Sequence, residues 1–302
     1  MGKPLSIFSG TTGLNNILDP KRLFHDPDTG MQELAAAYNV DIDDTGRPSR
    51  RKGFTLGVAV ATHSLFSWGG AYGLCVMDNA LEVLDSDFTY TPIRNVTRGA
   101  RMSYDEAAGT VYYCNGYEKG LVRNRLSYDW EDQDYVGPAT YKVFTDPPIG
   151  HLVNIWNGRT LVAVDDLICY SEPFAYGRFR LAANYIQLSG RIRLMKGVVG
   201  GVFAGDDKAI YFLPGNDMAS LGHIKKADYP AIEGTAVMVE GSKIGNGEIQ
   251  DRCVIFASTK GICIGGPEGF FKNVTERKLT YPTAILGTGY NLGSRYVCTL
   301  QP

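Results

Sequence analysis

Histidine and tryptophan are scarce in this chain, four and three among 302 residues. The histidines, His25, His63, His151 and His223, stand in unlike contexts, and none lies at metal-ligand spacing from a cysteine. No C-x-x-C occurs. The six cysteines, Cys75, Cys114, Cys169, Cys253, Cys263 and Cys298, are mostly embedded in apolar runs, which predicts reduced core thiols rather than zinc ligands or disulfides. A phosphate-cradling G-x-x-x-x-G-K-[ST] is missing, since the Gly-Asn-Gly at 245–247 opens no helix, and so is G-x-S-x-G. Excess positive charge is absent too. Thirty Lys+Arg against 32 Asp+Glu give a net charge of −2, which disfavours a protein whose main work is neutralising nucleic-acid phosphates. No run approaches the roughly 18 apolar residues that span a bilayer, and residues 1–13 hold no apolar core suited to a secretory signal. The expectation is a protein made in the cytoplasm, without membrane insertion, metal or cofactor.

What the chain does have is glycine and tyrosine, 36 and 18 residues, which suit short strands and tight turns. Beyond residue 37 no amphipathic helix is visible. Apolar runs at 54–61, 65–68, 72–77, 81–84, 110–114, 151–156, 159–164 and onward alternate with Gly, Asp and Asn turns, including the doublet Gly69-Gly70. This rhythm predicts an all-β propeller, sandwich or barrel. A repeat narrows the choice. Arg94-Asn95-Val96-Thr97 returns as Lys272-Asn273-Val274-Thr275, and the asparagines lie 178 residues apart (273 − 95). That is four periods of about 44, the length of a four-stranded propeller blade. Six such units need about 265 residues, so six blades fit best, with five or seven compatible with the same rhythm.

The division that follows is an extended N-terminal arm, 1–37, helical only at 31–37, and a propeller over 38–302. Residues 38–54 read as a lone hairpin. Tyr38, Val40 and Ile42 alternate with polar neighbours, Asp44-Thr45-Gly46 supplies the turn, and a basic limb runs on to Phe54. Residues 283–300 form a second lone hairpin. A propeller closes when strands from both ends of the chain share one blade. Tyr38, Val40 and Ile42 are therefore expected beside Tyr296, Val297 and Thr299. Arg47, Arg50, Arg51 and Lys52 are candidate contacts to DNA phosphate or to acids of a neighbouring subunit, against the plainer reading of a solvated edge strand.

For catalysis the candidates are thin. Carboxylate pairs at the central channel serve propeller glycosidases, and Asp165-Asp166 and Asp206-Asp207 qualify by type. Each pair fills a hairpin turn, where Asp is expected for backbone reasons. The sialidase box S-x-D-x-G-x-T-W is absent. The expectation is no enzyme, with a carbohydrate-binding or glycoside-hydrolysing propeller as the alternative and a peptide-binding propeller scaffold as a third reading.

Three stretches resemble a known family. Asn39-Val40 with Gly46-Arg47-Pro48-Ser49-Arg50-Arg51-Lys52-Gly53-Phe54 is similar to its opening motif. Leu167-Ile-Cys-Tyr-Ser-Glu-Pro, continuing through Ile192, Gly197-Val-Val-Gly-Gly-Val-Phe-Ala-Gly and Ala209-Ile-Tyr-Phe, is similar to its core. Gly234-Thr-Ala-Val, Val254-Ile-Phe-Ala and Gly261-Ile-Cys-Ile resemble the part after it. The family is the β-propeller tail-hub or nozzle proteins of short-tailed bacteriophages, also called tail accessory or packaged-DNA-stabilisation proteins. The likeness spans about 38–265, without the aromatic residue that follows the family's Ile-rich strand. It implies a virion structural protein in the phage tail. Copies would form a ring, a hexamer by the family's pattern, below the head-tail adaptor and in contact with fibre or needle proteins. That ring would retain packaged DNA and pass it during ejection, with only transient contact.

Overall fold

Successive antiparallel meanders, joined end to end, make up most of the molecule. The computed structural model describes residues 9–43, 45–53, 55–69, 72–132, 144–244, 249–281, 283–293 and 295–302. Asp44, Phe54, Gly70 and the 245–247 loop lie outside the described residues. Four strands precede the meanders: β1 (Gly10–Leu14), β2 (Met31–Leu34), β3 (Val40–Ile42) and β4 (Pro48–Arg50). The first four-stranded sheet holds β5 (Thr62–Phe66), β6 (Gly73–Met77), β7 (Ala80–Leu84) and β8 (Tyr90–Asn95). The second holds β9 (Ser103–Ala107), β10 (Thr110–Cys114), β11 (Lys119–Arg123) and β12 (Leu126–Tyr128). The third is β13 (Leu152–Trp156), β14 (Arg159–Val164), β15 (Leu167–Glu172) and β16 (Ala175–Phe179), with β17 (Tyr185–Gln187) sharing the edge of β15. The fourth is β18 (Leu194–Val198), β19 (Gly201–Gly205), β20 (Ile210–Pro214) and β21 (Ile224–Ala227). The fifth is β22 (Val237–Glu240), β23 (Arg252–Ser258), β24 (Gly261–Gly265) and β25 (Phe271–Asn273). A final hairpin, β26 (Leu286–Leu292) with β27 (Arg295–Gln301), ends the chain.

Turn chemistry sets these registers. Asn157-Gly158 between β13 and β14 takes φ of 44° and 70°, the left-handed pair a two-residue hairpin needs. The repeat seen in the sequence lands on equivalent positions, since Asn95 ends the fourth strand of the first sheet and Asn273 that of the fifth.

Packing is face to face and sequential, as in propeller blades. Leu74, Val76, Leu81 and Val83 of the first sheet bury against Tyr104, Val111, Tyr113 and Val122 of the second. Tyr112 and Leu121 continue onto Val153, Val162 and Phe179. Trp156, Leu161 and Ile168 meet Met195, Val202 and Leu213, and Phe203 and Phe212 meet Val254 and Phe256. Val239, Cys253, Ile255 and Ile264 then pack on Tyr296 of the final hairpin. No core cluster of described residues joins that hairpin to the first sheet.

The structure departs from the sequence reading in three places. Residues 31–34 form a strand, not a helix, because β2 pairs in parallel with β1, and that pairing outweighs a weak local propensity. The apolar stretch ahead of β5 forms no strand among the described residues of 55–61; it is solvent-exposed, Leu56 by 77%. The two end hairpins expected to share a blade are also not hydrogen-bonded to each other among the described residues. β3 pairs only with β4, and β26 only with β27, in two separate two-stranded sheets. Tyr38, Val40 and Ile42 therefore form no ladder with Tyr296, Val297 and Thr299, and the turn after β3 bonds β1 through Gly46.

Candidate functional site

Asp43 shapes the N-terminal hairpin. Its Oδ1 accepts from the Thr45 amide (2.9 Å), the Thr45 hydroxyl (2.6 Å) and the Arg47 amide (2.9 Å). The Thr45 hydroxyl first, then the Arg47 amide, hold its carboxyl below the usual carboxylate range. Gly46 accepts from the Thr11 amide at 2.7 Å and sits at φ 81°. A Cβ there would strike Met31 and the Thr11 carbonyl, so glycine lets the turn lie on β1. The returning limb exposes Arg47, Arg50, Arg51 and Lys52. Arg51 faces Asp41 at 3.5 Å, and no ion pair of described residues engages the other three. Tyr38 is 87% exposed at the base, while Val40 and Ile42 are half-buried.

The two ends of the chain do meet, through residues the sequence reading passed over. Asn16 donates from Nδ2 to the Thr280 carbonyl (2.7 Å) and accepts from the Thr280 amide (2.8 Å). Its own amide bonds Lys278 O at 3.0 Å, and the Lys278 ammonium lies 3.3 Å from Glu33. Burial would raise the Glu33 carboxyl, but bonds from Asn15, the Phe24 amide and Lys278 bring it below its ordinary value. An Asn in an irregular arm carries no periodic signal, so nothing in the sequence pointed to it.

At the other end, the Tyr296 hydroxyl donates to Thr235 O at 2.7 Å, and the amides of Gly287 and Gly289 bond Glu233 O and Gly234 O. Burial pushes the Tyr296 phenol well above its ordinary value. Val297 and Thr299 point the other way and are exposed. Beside Tyr296 the fifth sheet is incompletely covered. A cavity of about 160 Å³ is lined there by Val239, Ile255, Ile262, Ile264 and Val274.

The first strands of adjacent sheets run side by side and are laced by short polar side chains. The Met102 amide bonds Ser64, the Val153 amide bonds Ser103, Asp105 accepts from Asn154 and the Ile155 amide, and Asn154 accepts from the Gly197 amide. Near the starts of these strands lies a polar cluster. Arg101 donates to Thr288 Oγ1 (3.2 Å) and lies against Gly234, and Arg191 reaches Asp165 (3.4 Å) and Glu233 (3.8 Å). Arg101 precedes β9, Gly234 precedes β22 and Thr288 is in β26, so one side chain ties together three distant segments of chain.

The acids weighed for catalysis lie in hairpin turns, and one of them holds its turn directly. Asp206 is fully buried, and its Oδ1 accepts from the amides of Lys208 and Ala209 at 2.8 Å each, while Ser189 donates to Oδ2. Burial alone would raise its carboxyl, yet these bonds bring it below its ordinary value. Asp166 accepts from Gln187 at 2.8 Å. Burial pushes the thiols of Cys75, Cys169, Cys253 and Cys263 up to about 11, far from a reactive thiolate. Among the described residues no three His, Cys, Asp or Glu side chains gather as a metal site, and no helix is long and apolar enough to cross a membrane.

No protein-family model matches the chain, and no curated protein matches it either. Solved structures similar in part include the extracellular domain of a hybrid two-component system protein from B. thetaiotaomicron, at 10% identity and TM-score 0.49 over 80% of this chain. The chain spans only 32% of that protein's length. An inactive virginiamycin B lyase from Staphylococcus aureus is similar at 12% identity and TM-score 0.43, covering 75% of this chain and 72% of the lyase. Hsv2 of Kluyveromyces lactis is similar at 10% identity and TM-score 0.39, covering 86% and 78%.

Proposed function

We propose that this chain is a structural subunit of a bacteriophage tail, a hub or nozzle protein that works as a ring of copies, six by the family's pattern, below the head-tail adaptor. The observation that carries the reading is the module of residues 9–50. It lies outside the five meanders, is fastened to the body through Asn16 and Glu33, and presents to solvent Tyr38 and the basic side chains Arg47, Arg50 and Lys52, which have no ion pair among the described residues. Exposed basic and apolar side chains on a module outside the meanders suit a surface that meets a neighbouring subunit.

In this reading the fold is a six-position propeller whose sixth blade is composite. β26 and β27 supply its inner strands, and β3 and β4 lie outside them, with β3 beside the free edge of β27. Chain direction suits this, because the outermost strand of a blade leads into the innermost strand of the next, as β4 leads through 51–61 into β5. The cavity beside Tyr296 supports it, since it opens where outer strands of a sixth blade would cover Ile262, Ile264 and Val274.

Arg101, Glu233 and Arg191 then occupy one end of the propeller's own axis. DNA travels between copies, along the centre of the ring, past walls that carry little net charge and so bind phosphates weakly. Size and symmetry of the particle formed in solution or in virions test this. A strict monomer that binds or cleaves a sugar would favour the carbohydrate-active alternative.

A further inference from the structure

The outer strand of the second sheet is an unpaired edge with unusual surroundings. Among the described residues nothing pairs with β12 beyond β11. Leu126 and Tyr128 on it are exposed, though an open apolar edge is a pairing hazard that proteins normally cover. Past the strand the alternation slips by one residue: Trp130 is buried, while Asp129 and Glu131 are exposed. Asp146 joins them, since all three act electrostatically on the half-buried Lys119, whose ammonium bonds Pro147 O instead. Asp129 pairs with Arg94; Glu131 and Asp146 have no ion pair among the described residues. In sequence, residues 103–146 hold eight acids against four bases, the reverse of the limb bearing Arg47, Arg50 and Lys52.

We infer that the β12 edge of one copy is the docking surface for the basic hairpin of a second copy. The occupant is argued from complementarity of both kinds. Arg50 and Lys52 meet Asp129 and Glu131, and Tyr38 and Leu56, the two most exposed large apolar side chains near the hairpin, cover Leu126 and Tyr128. The contact is heterologous, joining unlike patches, so it propagates head to tail and closes only if the rotation allows. The inference rests on the ring reading proposed above, and its geometry agrees with it. The hairpin belongs to the sixth position and β12 to the second, two positions or about 120° apart in a six-position propeller, which is the angle between the two neighbours of a subunit in a hexameric ring.

Charge reversal in the full chain tests it by sedimentation velocity across a wide concentration range, with unfolding temperature as a check on folding. Arg50→Glu with Lys52→Glu, or Asp129→Lys with Glu131→Lys, is expected to weaken self-association roughly tenfold or more. A chain carrying all four reversals is expected to regain it, which a folding defect would not do. Association of the unaltered chain that neither pair weakens, or that the fourfold variant fails to regain, overturns the docking surface while leaving the ring standing. An unaltered chain that stays monomeric throughout overturns both.

Discussion

Two buried carboxylates, Asp206 and Glu82, show opposite consequences of burial with and without hydrogen-bond partners. Asp206 accepts two turn amides and the Ser189 hydroxyl in a fully buried setting. Asp206→Ala leaves those donors unpaired and is expected to cost about 1–3 kcal/mol in denaturant unfolding. Its folded-state carboxyl is lowered, so the stability it contributes is present above its ordinary value near 3.8 and is lost as pH falls below it. Glu82 has the opposite sign. It is buried on β7 with no hydrogen bond or ion pair among the described residues, and burial raises its carboxyl. Below the ordinary value near 4.5 it is neutral and harmless, and as pH rises above that the folded state loses stability. Glu82→Gln is therefore expected to raise the unfolding temperature at pH 7 and to leave it little changed at pH 4. Asp206-Asp207 was legible in the sequence as a turn. The isolation of Glu82 was not, because the neighbours that bury it come from non-local packing.

Among the elements, the final hairpin depends on close backbone approach. A Cβ on Gly289 would overlap the Thr235 carbonyl, which is backbone and cannot swing aside. Gly289→Ala is expected to lift β26–β27 off the fifth sheet, read as lost hydrogen-exchange protection in 286–301 while the amides of the first four sheets stay protected. Removing the chain from residue 283 onward uncovers Ile255 and Ile264 as well, and should lower the unfolding temperature of the whole domain. The four-stranded meanders, the turn positions and the period near 44 were all readable from alternation and Gly/Asp/Asn placement, and Asn95 and Asn273 mark their ends in the structure. The parallel pairing of 31–34 with β1 was not readable, since a four-residue run with alanines after it looks helical in isolation. Nor was the exposure of 55–61, whose alternation is that of a strand without a partner to complete it.

At the scale of the molecule, five meanders bury a continuous series of interfaces, and the N-terminal module is fastened to the segment between the fifth sheet and the final hairpin. The Asn16–Thr280 and Glu33–Lys278 contacts hold that module in place. Asn16→Ala with Glu33→Ala is expected to free that module to proteolysis ahead of residue 62 without unfolding the five sheets. The resemblance carried by Gly46–Phe54 and the glycine-rich β18–β19 region supplied the tail reading; composition and the site itself supplied only the absence of a reason to prefer an enzyme. The measurement that tests the central claim most directly is the mass and symmetry of the particle the unaltered chain forms. With a 33.0 kDa subunit, a six-membered ring of about 200 kDa with rotational symmetry in electron-microscope averages is the predicted result. A 33.0 kDa monomer at every concentration, with no ring in solution or in virions, would contradict it.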